Sequence, residues 1–139
     1  MKTLPVLTWF LMIPLFTVHL STDVPLLVSG LCHSSQHSSL GQLHISLTFD
    51  QSKSTRLVKW KSSVDCCVWA GVTCDDSGLG RVIGLNLSDE SISGGIENSG
   101  SLFSLQYLQN LNLSYNNFNT SIPTSFANLT SLRFLNLFS

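Results

Sequence analysis

The sequence contains little charge and no long apolar run beyond its first thirty residues. Only 11% of its 139 residues are charged, and the formal net charge is −1 at pH 7. This argues against a nucleic-acid binder, because such proteins carry a basic patch or stripe. The hydrophobic content of 43% argues against intrinsic disorder. No later run approaches the ~20 apolar residues of a membrane helix, so we expect one domain and no membrane span in the mature chain.

The sequence also lacks the motifs of catalysis and cofactor binding. The Gly-x-Ser-x-Gly elbow of serine hydrolases is absent. After Gly78-x-Gly80, Ile83 occupies the position at which a dinucleotide loop requires its third glycine. The neighbouring acids Asp75 and Asp76 do not supply the six or more oxygen ligands of a calcium site. We therefore predict no enzyme activity, no cofactor and no metal.

Residues 1–30 have the features of a secretory signal. Lys2 supplies the positive start, and an apolar stretch interrupted by two prolines follows over Leu4–Leu20. The mature chain is predicted to begin near Leu31, with cleavage near Ser21 and an uncleaved signal anchor as alternatives. The predicted location is the secretory pathway, ending at the cell surface for a receptor fragment and in the extracellular space otherwise.

The four cysteines are consistent with that oxidising compartment. An even number in a secreted chain indicates disulfides, and four cysteines allow three pairings. A bond between the neighbours Cys66 and Cys67 would need a strained ring. We favour Cys67 with Cys74 and Cys32 with Cys66, while the crossed pairing, Cys32 with Cys67 and Cys66 with Cys74, is the alternative.

The cluster of Cys32, His33 and His37 combines sulfur and imidazole ligands, as zinc sites do. A cysteine in a secreted chain is better used in a disulfide. We therefore expect a bonded Cys32 and solvated histidines.

The chain after residue 80 repeats itself. Four leucines between residues 105 and 113 are each followed by another leucine 24 residues later. Leu85 and Leu87 precede the last two of these four by 26 residues. Leu-x-x-Leu-x-Leu at such a period is the signature of a leucine-rich repeat. The predicted fold is an α/β solenoid, a right-handed coil with short parallel strands on its concave face. The predicted repeat core consists of Leu85, Leu87, Leu105, Leu108, Leu111, Leu113, Leu129, Leu132, Leu135 and Leu137.

Alternation within each unit separates buried from exposed side chains. Leu111 and Leu113 point to one face of a short strand and Asn112 to the other, and stacking of units buries the leucines. The amide of Asn116 is expected to satisfy backbone groups at the turn after the strand. Glu90 takes this place in the first unit, so we expect that unit to be less regular.

The outward positions form the candidate recognition surface. A solenoid offers an extended concave face to protein or peptide ligands, and exposed aromatic residues anchor interfaces. The predicted concave-face residues are Asn86, Ser88, Asp89, Asn110, Asn112, Ser114, Tyr115 and Asn136, together with Gly84, Phe134 and Phe138.

Four Asn-x-Ser/Thr acceptors are predicted glycosylation sites in a secreted chain: Asn86, Asn112, Asn119 and Asn128. Asn86 and Asn112 lie on the predicted strands. A glycan there would cover part of the concave sheet, which is a reason to doubt that this region is itself the ligand site.

The segment before the repeats is predicted to form a small, partly helical cap. Three leucines have helical spacing: Leu40, Leu43 and Leu47. Residues 45–49 alternate as a strand does, and residues 56–60 are expected to make a second helical turn. A small cap has too little core of its own, so disulfides hold it, and Trp60 and Trp69 are expected to supply apolar bulk.

The block from Trp60 to Asp75 resembles the plant-type N-terminal cap of leucine-rich-repeat proteins. It contains Trp, a short spacer, Asp-Cys-Cys and Trp-x-Gly-Val-x-Cys, eight fixed positions within sixteen residues. The segment 80–88 looks like this family's entry into its first repeat, and the segments 91–95 and 101–108 are similar to plant receptor-like proteins of the disease-resistance type. The predicted domains are a signal peptide (1–30), the cap (31–80), two repeats (81–106 and 107–130) and a partial third repeat (131–139).

The resemblance implies a non-enzymatic extracellular recognition module. It would be the N-terminal part of a plant receptor-like protein that perceives pathogens or elicitors and signals defence. A co-receptor kinase would be a further partner of the full-length protein. Two alternatives are a short secreted repeat protein that inhibits a pathogen's cell-wall-degrading enzyme, and a truncated, non-functional fragment.

Overall fold

The computed structural model describes residues 31–97, 99–119 and 121–138, so the predicted signal lies outside the described residues. The helices are α1 (Ser34–Ser46) and α2 (Gly100–Phe103), with 3-10 turns at Leu57–Lys59, Cys66–Val68 and Thr124–Asn128. The strands are β1 (Thr48–Phe49), β2 (Val72–Cys74), β3 (Val82–Asn86), β4 (Ile92–Gly94), β5 (Asn110–Asn112) and β6 (Phe134–Asn136). None of the described helices has the length and apolarity needed to cross a membrane.

The main sheet has the strand order β2-β3-β5-β6. Strands β3, β5 and β6 are parallel, and Leu85, Leu111 and Leu135 lie opposite one another. The predicted parallel sheet is thereby confirmed. The cap adds β2 as an antiparallel edge strand, which the leucine periodicity does not reveal. A small second sheet pairs β1 with β4.

One continuous core joins the cap to the repeats. Most of the predicted core leucines are buried: Leu85, Leu87, Leu105, Leu108, Leu111, Leu113 and Leu129. Leu132 and Leu137 are partly buried against this core. Leu135 differs from the expectation because it is 38% exposed. It lies on β6, the outermost strand of the sheet that the described residues form.

The cap helix connects directly to the first repeat. His33 is the N-cap of α1. Its imidazole Nδ1 accepts a hydrogen bond from the backbone N–H of Ser35 at 3.3 Å. Leu40 and Leu43 are fully buried on its inner face. The buried Gln36 side chain accepts a hydrogen bond from the backbone N–H of Val82. The helical spacing and the strand-like alternation are both realised, because α1 ends at Ser46 and β1 begins at Thr48.

The two cap tryptophans have the predicted packing role. The rings of Trp60 and Trp69 stack with centroids 4.9 Å apart, and each residue is 5% exposed. Their indole N–H groups donate to the carbonyls of Ala70 and Lys61, at 2.9 and 3.1 Å. His37 packs 5.0 Å from the Trp69 ring and stays partly exposed, with its Nε2 3.1 Å from the Ser62 carbonyl oxygen, so the expected solvation is realised in part.

The disulfides join Cys32 to Cys66 and Cys67 to Cys74, the pairing favoured from the sequence. Asp65 holds both together, because its carboxylate oxygens accept hydrogen bonds from the backbone N–H groups of Cys32 and Cys67, each at 2.8 Å. Three of these sulfurs lie within 4.8 Å of one another. Since every one is bonded to another sulfur, they supply no thiolate for a metal.

We expect the two disulfides to contribute unequally to stability. The Cys32–Cys66 bond spans 34 residues and Cys67–Cys74 spans 7. Replacing the first pair by serine should cost about 4 kcal/mol and the second about 2 kcal/mol, from the lost constraint on the unfolded chain. Urea unfolding of the two double variants measures this. A larger loss for the short loop would contradict the entropic account.

Gly80 is required where the chain enters the first repeat. Its φ is +64°, and a Cβ there would collide with the backbone of Leu31. Gly78 has φ +80° but open space around it. We expect Gly78→Ala to cost about 1 kcal/mol, from the left-handed conformation alone, and Gly80→Ala to cost several times more. Thermal unfolding of the matched pair tests this, and equal losses would show that the contact with Leu31 is unimportant.

Candidate functional site

The concave face of the main sheet forms an open groove of about 400 Å³. Two rows of residues cross its strands in register. The first row consists of Thr73, Gly84, Asn110 and Phe134. The second consists of Asn86, Asn112 and Asn136, next to Gly71, whose carbonyl accepts the Asn86 backbone N–H at 2.8 Å. None of the lining residues is charged, so the groove presents amides, a hydroxyl and an aromatic ring.

The asparagines of the second row are held by the residues that follow them. Asn86 Oδ1 accepts hydrogen bonds from the Ser88 backbone N–H and hydroxyl, at 3.1 and 2.8 Å. Asn112 Oδ1 accepts the same pair from Ser114, at 3.0 and 2.7 Å. These local bonds are Asx turns. They occupy the carbonyl end of each amide and fix its orientation.

This arrangement corrects two of the predicted concave-face residues. Ser114 is only 2% exposed, and Ser88 is half-buried. Each serine turns its hydroxyl back to the preceding asparagine instead of presenting it to a ligand. Both serines therefore orient the asparagines and do not themselves contact a ligand in the groove.

Asp89 and Tyr115 also depart from the expected concave position. Both have left-handed backbones, with φ of 55° and 57°, which turn the chain aside at the end of each strand. They line a separate side groove of about 760 Å³ next to β1 and β4. Tyr115 is 67% exposed there, so its exposure was predicted correctly but not its face.

The structure places the remaining three predicted outward residues in three different environments. Gly84 is buried, because Thr73 of β2 lies over it. Phe134 remains in the concave groove and is 70% exposed. Phe138 instead lines an apolar hollow of about 190 Å³ at the open end of the repeats, beside Leu113 and Leu137.

Asn116 satisfies backbone groups at the turn, as predicted, and it also joins the second repeat to the first. Its Nδ2 donates to the carbonyls of Leu87 and Leu113, at 2.8 and 2.9 Å. Its Oδ1 accepts from the backbone N–H groups of Glu90 and Ile92, at 3.1 and 3.0 Å. With a longer bond from Nδ2 to the Ser114 carbonyl at 3.3 Å, one side chain thus contacts five backbone groups at the turn, two of them donors from the preceding unit.

Glu90 performs the corresponding task for the cap. It is fully buried, and its carboxylate accepts the backbone N–H groups of Arg56 and Leu57, at 2.9 and 3.1 Å. It also accepts the hydroxyls of Ser54 and Thr55. The cap offers donors where a preceding repeat would offer both donors and acceptors. The substitution of Glu for Asn is therefore adapted to the cap, and the expected loss of regularity is not seen here.

The hydrogen bonds to Glu90 stabilise its charged form. Burial by itself raises the pKa of this carboxyl group. The hydrogen bonds from Ser54, Leu57, Arg56 and Thr55 together outweigh burial and hold the pKa below its ordinary value of 4.5. Arg56 Nη1 lies 3.4 Å from the carboxylate and adds a partner of opposite charge. The cap and first repeat are thus joined by an ionised, fully hydrogen-bonded group.

The predicted glycosylation sites lie on two different parts of the surface. Asn86 is exposed and Asn112 is half-buried, and both line the concave groove. Asn119 and Asn128 are exposed and lie outside it. Their occupancy stays a prediction, as do the domain boundaries.

The sequence pattern did not identify Gly71 and Thr73 as groove residues, although both line it. A signal was present in the alternation of Val72, Thr73 and Cys74, since Val72 is buried and Thr73 is exposed. The cap motif by itself predicts only a packing role. Its strand, β2, in fact adds one further strand to the concave sheet.

Comparison with known proteins agrees with this architecture. The family "Leucine rich repeat N-terminal domain" matches residues 33–75, and the family "Leucine rich repeat" matches residues 97–139. Receptor-like protein 50 of Arabidopsis thaliana is 33% identical over 124 residues, covering 85% of this chain and 14% of that protein. Receptor-like protein 7 of the same plant is 44% identical over 108 residues, covering 77% of this chain and 10% of that protein.

A solved structure has the same fold. The leucine-rich-repeat ectodomain of the Arabidopsis thaliana membrane receptor kinase GASSHO1/SCHENGEN3 was crystallised in complex with CASPARIAN STRIP INTEGRITY FACTOR 2. It is 36% identical, with a TM-score of 0.62, and the match covers 75% of this chain and 12% of that one. This chain therefore spans only a small part of the length of these relatives. Its cap, its repeats and its sequence similarity place the chain in the leucine-rich-repeat family of plant receptor-like proteins.

Proposed function

We propose that this chain forms the amino-terminal part of an extracellular recognition array, in a plant receptor-like protein that perceives pathogens or elicitors and signals defence. The observation that supports this most directly is the continuous sheet from cap to open edge. Each strand adds one in-register layer, Gly84, Asn110 and then Phe134, to a surface that carries no charge. Repeated layers of this kind make the extended concave surfaces that bind proteins and peptides.

The partners proposed for the array are a protein or peptide ligand and, for the full-length protein, a co-receptor kinase. Its location would be the cell surface, facing the apoplast. The complex of the GASSHO1/SCHENGEN3 ectodomain with its bound factor supports ligand binding by an array of this fold. The uncharged groove favours recognition through hydrogen bonds and aromatic contact over recognition of a highly charged ligand.

Editing the gene in the plant that carries this chain tests the proposal. Leu111→Asp removes the folded repeats, whereas Gln106→Glu changes an exposed residue and serves as the matched control. We expect the Leu111→Asp plants to lose the oxidative burst to at least one pathogen extract and to grow normally. The control plants should respond fully. An unchanged burst to every extract, together with altered growth, would replace defence by a developmental role.

A further inference from the structure

The cap contains an open cleft of its own, which lies between α1 and the segment 60–63. We call it the cap cleft, and it shares no lining residue with the concave groove. Its volume of about 640 Å³ falls within the ~300–1,000 Å³ of ordinary ligand pockets. Its lining includes His37, Gly41, His44, Trp60, Lys61 and Trp69.

The walls of the cap cleft are fixed by contacts within the fold. His37 Nε2 donates a hydrogen bond to the Ser62 carbonyl oxygen at 3.1 Å and thereby joins α1 to the opposite wall. The indoles of Trp60 and Trp69 stack on each other, and both indole N–H groups donate to backbone carbonyls. A cleft that is already formed in the free protein lowers the entropic cost of binding.

The middle of α1 presents a glycine to this cleft, although neither a turn nor a close contact requires one there. Gly41 lies inside the helix, outside the positive-φ region, and an added Cβ would meet no packed neighbour within 4 Å. A glycine inside a helix costs about 1 kcal/mol relative to alanine. What Gly41 provides is an open stretch of helix surface that a flat ligand can approach closely.

The polar side chains of the cap cleft suit a ligand that is rich in hydroxyl groups. His44 lines the cleft, and its Nε2 is buried without a hydrogen-bond partner among the described residues. Hydroxyl and amide groups each donate and accept hydrogen bonds, as sugar hydroxyls do. Four exposed side chains of this kind line the cleft and form no hydrogen bond with another described residue: Ser38, Gln42, Ser62 and Ser63.

The charge of the cap cleft favours an anionic ligand. Among the described residues that line it, Lys61 alone is charged. Lys61 is exposed and forms no salt bridge with a described residue, so its ammonium group can pair with a carboxylate. One wall is a helix, which offers no free strand edge to an extended peptide. A carboxylated sugar therefore fits this lining better than an acidic peptide does.

We propose that the cap cleft binds an acidic carbohydrate. Its sugar rings lie over Gly41 and against the indoles of Trp60 and Trp69, and a carboxylate lies beside Lys61. The cap then supplies a ligand site separate from the concave face. This inference goes beyond the proposed function and does not depend on it.

Tryptophan fluorescence detects a ligand in the cap cleft, because Trp60 and Trp69 line it. The full chain is secreted from cultured mammalian cells with its own residues 1–30 and is titrated with a tetramer of galacturonic acid. The same tetramer with methyl-esterified carboxylates is the neutral probe of matched shape, and tetraglutamate is the acidic probe without sugar rings. We expect a saturable change with the acidic tetramer and about fivefold weaker binding of the ester, as the loss of one exposed ion pair allows. Tetraglutamate should produce no saturable change.

Two variants locate the ligand within the cap cleft. Gly41→Leu should fill the space over the helix and weaken binding of the acidic tetramer at least tenfold, while its melting temperature stays at or above that of the wild type. Lys61→Gln should weaken binding of the acidic tetramer about fivefold and leave binding of the ester unchanged. Lys59→Gln is the control, because Lys59 is exposed and does not line the cleft.

Four results would overturn the inference. They are the absence of a saturable change with the acidic tetramer, equal affinities for the tetramer and its ester, binding of tetraglutamate as tight as that of the tetramer, and undiminished binding by Gly41→Leu. Lys61→Gln decides independently of the glycine variant, since an unchanged preference for the acid over the ester would show that Lys61 does not contact the carboxylate.

Discussion

Replacing Leu111 with aspartate is expected to prevent folding of the repeats. Leu111 is 1% exposed and lies between Leu85 and Leu135 in the central layer of the sheet. A carboxylate there would be buried without a partner, at a cost of several kcal/mol. That cost is comparable with the ~5–15 kcal/mol total stability of a typical domain. Loss of secretion and rapid proteolysis of the variant would be the measured result.

Asn110→Asp is the matched control for this experiment. It introduces the same charge one residue earlier on the same strand, where the side chain is exposed in the concave groove. We expect it to change stability by no more than about 0.5 kcal/mol, as is usual for surface positions. If Leu111→Asp were secreted and resisted protease as well as the control, the inward assignment of the leucines would be wrong.

Removing the Glu90 carboxylate should produce the second large effect. Glu90→Ala leaves the backbone N–H groups of Arg56 and Leu57 and two hydroxyls without their acceptor. We expect a loss of about 4 kcal/mol, the range observed when one partner of a buried ion pair is removed. Glu90→Gln keeps the shape but turns an NH₂ group toward donors, and should cost about 2 kcal/mol. Urea unfolding at neutral pH measures both.

Glu97→Gln is the control for both Glu90 substitutions, because Glu97 is exposed in the same repeat.

The pH dependence of stability provides an independent check on Glu90. Since the pKa of Glu90 is lowered in the folded state, its charge contributes stability that is fully present above its ordinary value of 4.5 and is lost as pH falls through the folded pKa. The difference between wild type and Glu90→Gln should therefore shrink below that pH. A constant difference would show that ionisation of Glu90 does not stabilise the fold.

The repeats could be predicted closely from the sequence because their periodicity has one physical solution. Leucines at a fixed offset can be buried only by stacking units in register, and the offset of Leu85, Leu111 and Leu135 in the sequence is the register of the strands. The role of Asn116 followed from the backbone groups that a turn leaves unpaired. These features depend on local pattern alone.

The cap and the edges of the groove could not be predicted in the same way, because contacts between distant segments determine them. Glu90 in place of asparagine predicts a less regular first unit, but the donors of Ser54–Leu57, more than thirty residues earlier in the chain, surround its carboxylate. Alternation along the strands predicts that Asp89 and Tyr115 lie on the concave face. Their positive φ values turn them to the side, and alternation holds only while the strand continues.

The most direct test asks whether the cap is the first layer of the recognition solenoid or a separate unit. In the mature chain the tryptophans, Trp60 and Trp69, both lie in the cap, so their fluorescence in urea reports unfolding of the cap. Hydrogen exchange of β5 in the same urea series reports unfolding of the repeats. Because Glu90, β2 and the shared core join the two parts, the two midpoints should coincide. Repeats that unfold at a clearly different urea concentration from the cap would contradict the account.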